Sequence, residues 1–330
     1  MLVEQAGIAV LFVLAFANGA NDVGKSVASL MIRKAPGSRL NRWPLLWGGV
    51  FSGLGSVTAI LIAGRLFSVF TPQTILSTTF DSTFVLSVLI AAMIWVLLAT
   101  IARLPVSTTH SILGATVVLG LYLFGLSGLH WDFLAIRVVL PLAGGPIAAL
   151  LGIYIVEQLI KRLSTKKDST AVPKWAGVSH WGSAAATAFA RGINDAPKMA
   201  VLGIFFLASY PVDKLWISYS IVALAVVIGS FVLGHRVAIT LTRRMIPMDH
   251  DQRLRAGIAT AALVSAGAVL GAPLSTTHMH ASATAGVSGL KESIRSALRG
   301  MVLPWLITLP ASGVLAIAVA SLGPRIIALV

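Results

Sequence analysis

The chain contains no cysteine, so it builds no disulfide framework and carries no thiol chemistry. Charge is scarce too. Only 11% of its 330 residues are charged, where a soluble domain carries about 25%. That shortage excludes an ordinary water-soluble domain. Acidic residues are the rarer sign, 11 against 25 basic ones, which leaves a net charge of +14. What fills the chain instead is apolar: 57% of residues are hydrophobic and the mean hydropathy is +0.90. A bilayer is the solvent such a composition needs.

A net positive charge raises the question of nucleic acid. The basic residues, however, sit in short loops between apolar runs. Arg33, Lys34, Arg39 and Arg42 form one cluster; Lys161, Arg162, Lys166, Lys167 and Lys174 a second; Arg243, Arg244, Arg253 and Arg255 a third. The positive-inside rule accounts for this pattern and puts these loops in the cytoplasm. We therefore expect a multi-pass protein of the cell membrane with the lipid bilayer as its partner and no nucleic acid. The N-terminus has no basic region before its first apolar run, so it reads as a first span rather than a signal peptide.

Spans of about 20 apolar residues can be marked along the whole chain. Among them are residues 47–67, 106–126 and 138–159; residues 258–271 and 279–290 are short for a full crossing. The polar stretch 161–174 is the one clear linker. It divides the chain into a first transmembrane repeat, 1–160, and a second, 175–330.

Two pairs of motifs support that division. "ANGANDVGKSV" begins at Ala17 and "ARGINDAPKMA" at Ala190. "PVSTTH" begins at Pro105 and "PLSTTH" at Pro273. By loop charge, the first Asn-Asp span runs toward the cytoplasm and the second runs away from it. That makes the halves inverted-topology repeats. The expected fold class is an all-α membrane protein: a polytopic helical bundle with two inverted repeats and broken or re-entrant helices.

Asp22 and Asp195 fall well inside apolar spans. An aspartate at the centre of a helix costs about 2.5–3.5 kcal/mol, so it normally faces a cavity, a partner or an ion. Gly19 and Gly192 precede the Asn21-Asp22 and Asn194-Asp195 pairs, and Pro197 follows the second. These residues predict a helix broken at each pair. Ser107, Thr108, Thr109, Ser275, Thr276 and Thr277 offer hydroxyls beside helix N-termini opened by Pro105 and Pro273, a combination that takes a tetrahedral oxyanion. Nothing in that chemistry demands an arginine fork. His110 and His278 close the elements, as structural braces or as proton carriers. Carboxylates with hydroxyls imply an oxyanion carried with cations, or a protonated oxyanion. Phosphate fits better than sulfate, because bare aspartate oxygens repel an anion that has no proton to give.

With these four motifs in this order, the chain resembles the inorganic phosphate transporter (PiT) family, and the match runs from Gly19 to His278. The resemblance implies a secondary transporter, not an enzyme, that imports inorganic phosphate, free or as a metal complex, with a coupling cation. It needs no cofactor. Proton or sodium would be the coupling ion, with sodium placed at Asp22 and Asp195, and a homodimer is implied. Carried over by position, Asn21 and Asn194 join the six hydroxyl residues as phosphate ligands, and Asp22 and Asp195 couple the cation. The chain departs from the family pattern at Lys25, where many members have asparagine, and at Ser52, where many have glutamate. Lys198 holds the matching place in the second half. Lys25 either pairs with Asp22 and stands in for a bound cation or extends to the interface. Lys25, Lys198, His110 and His278 are thus expected modulators. The alternatives are a transporter of sulfate or another oxyanion, and an anion channel.

Overall fold

No water reaches the backbone in a bilayer core, so each spanning segment must close its own hydrogen bonds, and a helix does this alone. The computed structural model describes residues 2–31, 41–163, 176–244, 248, 250–288 and 306–322. These residues are helices and their connections; the one β pairing among them is an isolated bridge between Leu76 and Leu129.

The first half supplies α1 (Leu2–Val27), α2 (Trp43–Ile62), α3 (Ser82–Ile101), α4 (Thr108–Phe124) and α5 (Leu140–Leu163). The second supplies α6 (Ala176–Ile204), α7 (Lys214–Leu233), α8 (His235–Arg244), α9 (His250–Leu270), α10 (Thr276–Ser288) and α11 (Leu306–Leu322). Helix ends follow their caps. Asp81 accepts from the Phe84 N–H at 2.9 Å, and Asp213 accepts from the Leu215 and Trp216 N–H groups at 3.1 Å. Among the described residues, six helices are long and apolar enough to cross a membrane: α1, α2, α3, α7, α9 and the continuous helix through Trp131–Ile160 that contains most of α5.

Several expectations change. The span at 47–67 is interrupted at Ala63, and a separate short helix, Gly64–Val69, follows. The span at 258–271 is the end of a full-length helix, because α9 has 21 residues and starts in the polar run at His250. The span at 279–290 belongs to α10, which is short, with 13 described residues. Arg33, Lys34, Arg39, Lys166, Lys167 and Lys174 lie outside the described residues, as does most of the linker.

The largest correction concerns the Asn-Asp pairs. α1 runs unbroken through Asn21-Asp22, and α6 runs unbroken through Asn194-Asp195 and Pro197. The neighbouring glycines serve helix crossing instead. A Cβ at Gly19 would lie 2.2 Å from the Val226 carbonyl oxygen of α7, and one at Gly229 would lie 1.9 Å from that of Phe16 in α1. The same reciprocity joins α6 to α2: a Cβ at Gly192 would sit 2.0 Å from the Ser52 oxygen, and one at Gly55 2.0 Å from the Phe189 oxygen. Apolar packing gains little in lipid, so helices associate where small residues let backbones touch.

The halves therefore interleave. α1 packs on α7, and α2 packs on both α6 and α7; α9 also packs on α6, and α10 on α5. A bidentate ion pair fastens α9 to α5, with Arg255 donating to both Glu157 carboxylate oxygens at 2.9 and 3.0 Å. The two chain segments that open α4 and α10 both bond to α1 and α6: Asn21 and Lys25 reach Leu104, Val106 and Thr277, and Asn194 and Lys198 reach Leu274 and Thr109.

Candidate functional site

Each STTH segment is aimed by the turn before it. After α3, Arg103 adopts a left-handed φ of 62°, and the Leu104 N–H donates back to the Ala99 carbonyl at 2.8 Å. After α9, Gly271 adopts φ 79°, and the Ala272 N–H donates to the Gly267 carbonyl at 2.8 Å. This turn ends a helix sharply and lets the chain start another at once. Ser107 then caps α4 and Ser275 caps α10, their hydroxyls accepting from the His110 and His278 N–H groups at 3.4 Å. The first N–H groups of each helix, including those of Thr109 and Thr277, have no intrahelical acceptor.

The two caps meet. Ser275 Oγ donates to Ser107 Oγ at 3.0 Å. His110 Nδ1 lies 2.8 Å from Ser107 Oγ, and His278 Nδ1 lies 2.6 Å from Ser275 Oγ. The two imidazoles face each other with centroids 4.9 Å apart. Both histidines thus brace the junction of the two helix N-termini.

Around this junction the charged residues are exchanged between halves. The Lys25 ammonium bonds to an oxygen of Asp22, to the Val106 carbonyl at 2.7 Å and to Thr277 Oγ1 of the other half at 2.7 Å. The Lys198 ammonium bonds to Asp195 Oδ1 at 3.2 Å, to the Leu274 carbonyl at 3.1 Å and to Thr109 Oγ1 of the first half at 2.7 Å. Lys25 is 4% exposed and Lys198 1%, so neither extends to the interface. Asn21 donates to Thr100 Oγ1 at 2.9 Å and the Leu104 carbonyl at 3.0 Å, and accepts from the Val106 N–H at 3.0 Å. Asn194 donates to the Leu274 carbonyl and to Asp195 Oδ1, both at 3.0 Å.

Every site residue expected from sequence is buried here: both Asn-Asp pairs, both Ser-Thr-Thr-His runs, and both lysines. Ser52 presses its backbone on Gly192 beside the second pair.

Two residues escaped the sequence reading. Asn18 donates to Asp22 Oδ2 at 3.1 Å and to Thr108 Oγ1 at 2.9 Å. Arg191, 1% exposed, donates to Thr276 Oγ1 at 2.8 Å. Each stands four residues before its aspartate, on the same helix face. A polar residue at that spacing inside an apolar span was the available signal. The guanidinium stands in the site although the oxyanion chemistry read from sequence did not demand one. With it, the buried site holds three basic and two acidic side chains. The surplus positive charge, two helix N-termini and four threonine hydroxyls together suit an anion.

The fold and the site define a polytopic helical membrane protein with a charged polar centre shared by its two halves. The chain belongs to the phosphate transporter family, whose model matches residues 18–316. Several similar proteins are named probable low-affinity inorganic phosphate transporter. The one from Mycobacterium bovis is 26% identical, with 90% of this chain and 72% of that protein covered. The one from Rhizobium meliloti is 26% identical over 93% of this chain and 92% of that protein. A solved structure, the sodium-dependent phosphate transporter, shares the fold with a TM-score of 0.82 and 21% identity, covering 99% of this chain and all of that one.

Proposed function

We propose that the chain is a secondary active transporter that imports inorganic phosphate by cation symport through alternating access. The observation that carries this reading is the buried, net-positive site at which the N-termini of α4 and α10 meet between the two Asn-Asp helices. A site built symmetrically from two interleaved halves can open to either side by exchanging their conformations. The reciprocal glycine crossings and the exchanged lysine–threonine bonds support two inverted repeats, 1–160 and 175–330, joined by the basic linker 161–174. The basic loops then face the cytoplasm.

Coupling follows from the lysines. Each ammonium already bonds to an aspartate oxygen, which disfavours a second cation at that oxygen. Lys25 and Lys198 stand where coupling cations would neutralise Asp22 and Asp195. We therefore expect protons to drive transport at least as much as sodium. The test is uptake of labelled phosphate into proteoliposomes, with an inward proton gradient lacking sodium and then a sodium gradient at equal pH. Accumulation under the proton gradient is the expected result. Accumulation under sodium alone overturns the coupling argument, and no accumulation under either overturns active transport.

A further inference from the structure

The two halves do not satisfy their hydrogen bonds equally. In the first half, Asp22 has both oxygens engaged, by Lys25 and Asn18, and Asn21 Oδ1 accepts from Val106. Around the second Asn-Asp pair, three buried atoms on α6 have no hydrogen-bond partner among the described residues: Arg191 Nε, Asn194 Oδ1 and Asp195 Oδ2. Their residues are at most 4% exposed. Arg191, Asn194 and Asp195 occupy spacings i, i+3 and i+4, so they share one face of α6.

That face is turned to the helix junction. Arg191 bonds to Thr276 at the start of α10, and Asp195 reaches Thr109 at the start of α4 through Lys198. A buried polar atom without a partner is costly, and the cost is removed when a ligand supplies the bond. Here the unmet atoms are of both kinds. Arg191 Nε is a donor; Asp195 Oδ2 and Asn194 Oδ1 are acceptors.

We propose that this face selects a tetrahedral oxyanion that keeps a hydroxyl: Arg191 Nε donates to one of its charged oxygens, and Asp195 Oδ2 accepts from its O–H group. The proposal rests on the transport reading above and specifies how that site recognises its substrate. Phosphate at neutral pH carries at least one O–H in both of its abundant forms, and so does arsenate. Sulfate and selenate carry none. Positive charge attracts all four, so charge alone does not separate them. Against Asp195 Oδ2, a sulfate oxygen would place two acceptors together with no proton between them. Tying the other oxygen of Asp195 to Lys198 leaves Oδ2 as the oxygen that tests for the proton.

The experiment is competition for labelled phosphate bound to the purified full chain at neutral pH. Arsenate is expected to displace the label within about tenfold of the concentration of unlabelled phosphate. Sulfate and selenate are expected to need at least about 100-fold more, as for a site built to bond a hydroxyl. Sulfate competing as well as arsenate overturns the proposal while leaving an oxyanion site intact. Absence of saturable phosphate binding overturns both this proposal and the transport reading.

Asp195→Asn gives a second readout, because an amide can donate to a proton-free oxygen. The ratio of sulfate to phosphate affinity is expected to shift toward sulfate by at least about tenfold, whatever the overall loss of binding. A wild-type ratio in that variant overturns the assignment to Asp195. Arg191→Lys is expected to weaken phosphate and sulfate by the same factor. A shift of the sulfate-to-phosphate ratio as large as that of Asp195→Asn would move the hydroxyl contact away from Asp195.

Discussion

The half that opens the chain and the half that closes it use the same residues at the same spacing, yet they finish differently. Asn18 in the first half and Arg191 in the second hold matching places, each bonded to the first threonine of an STTH helix. Asn18 also donates to Asp22, and both oxygens of that carboxylate are engaged. Arg191 brings a charge and an unmet donor, and the second half stays open to a further partner. The two Asn-Asp helices offer two matching places. With asparagine at one and arginine at the other, the first is bonded within the protein and the second keeps an unmet donor.

The strongest way to break this comparison is to remove each carboxylate in turn. Asp22→Asn and Asp195→Asn should both abolish concentrative phosphate uptake, because each lysine loses its counter-charge. Removing one partner of a buried ion pair costs about 3–5 kcal/mol. Asp22 has both oxygens engaged, so Asp22→Asn should lower the unfolding temperature further than Asp195→Asn does. Equal losses measured by thermal unfolding in detergent would remove the distinction between the halves.

A smaller effect is expected when the second half is given the residue of the first. Hydrogen bonds to charged groups contribute about 1.5–3 kcal/mol each. Arg191→Asn should therefore raise the phosphate dissociation constant by at least about tenfold. Asn18→Ala should raise it by less than about fivefold, and binding isotherms of the two variants decide. Matching losses would mean that both halves hold the anion alike.

The lysines sharpen the comparison through ion dependence. Lys25→Asn restores the residue common in the family and frees an oxygen of Asp22. Uptake by this variant should become several-fold more dependent on sodium, on the order of 1 kcal/mol in coupling. An unchanged ratio of sodium-driven to proton-driven uptake would count against Lys25 as a built-in cation.

The smallest effect lies at the turns before the two STTH segments. Arg103 pays the steric cost of a left-handed backbone, and Gly271 avoids it. Arg103→Gly should stabilise the protein by about 1 kcal/mol, and Gly271→Ala should destabilise it by at least as much. The second change also sets a Cβ 3.0 Å from that of Arg65. Chemical unfolding of both variants is the check.

Sequence by itself determined the solvent, the helical class and most of the polar residues that meet at the centre. Hydropathy and motif spacing are properties of consecutive residues, and a bilayer leaves helices as the way for such apolar runs to satisfy their backbones. The paired motifs picked out Asp, Asn, Ser, Thr and His residues that the structure buries together, because polar groups at membrane depth are placed away from lipid. The broken helices expected at Asn21-Asp22 and Asn194-Asp195 failed for a tertiary reason: Gly19 and Gly192 are needed where α7 and α2 cross, a contact that lies far along the chain. Only the tertiary structure could direct Lys25 to Thr277 and Lys198 to Thr109, since each bond joins opposite halves. It alone decided that Arg191 stands buried in the site with one donor unmet, because burial and hydrogen-bond satisfaction depend on what every other helix brings to the same place.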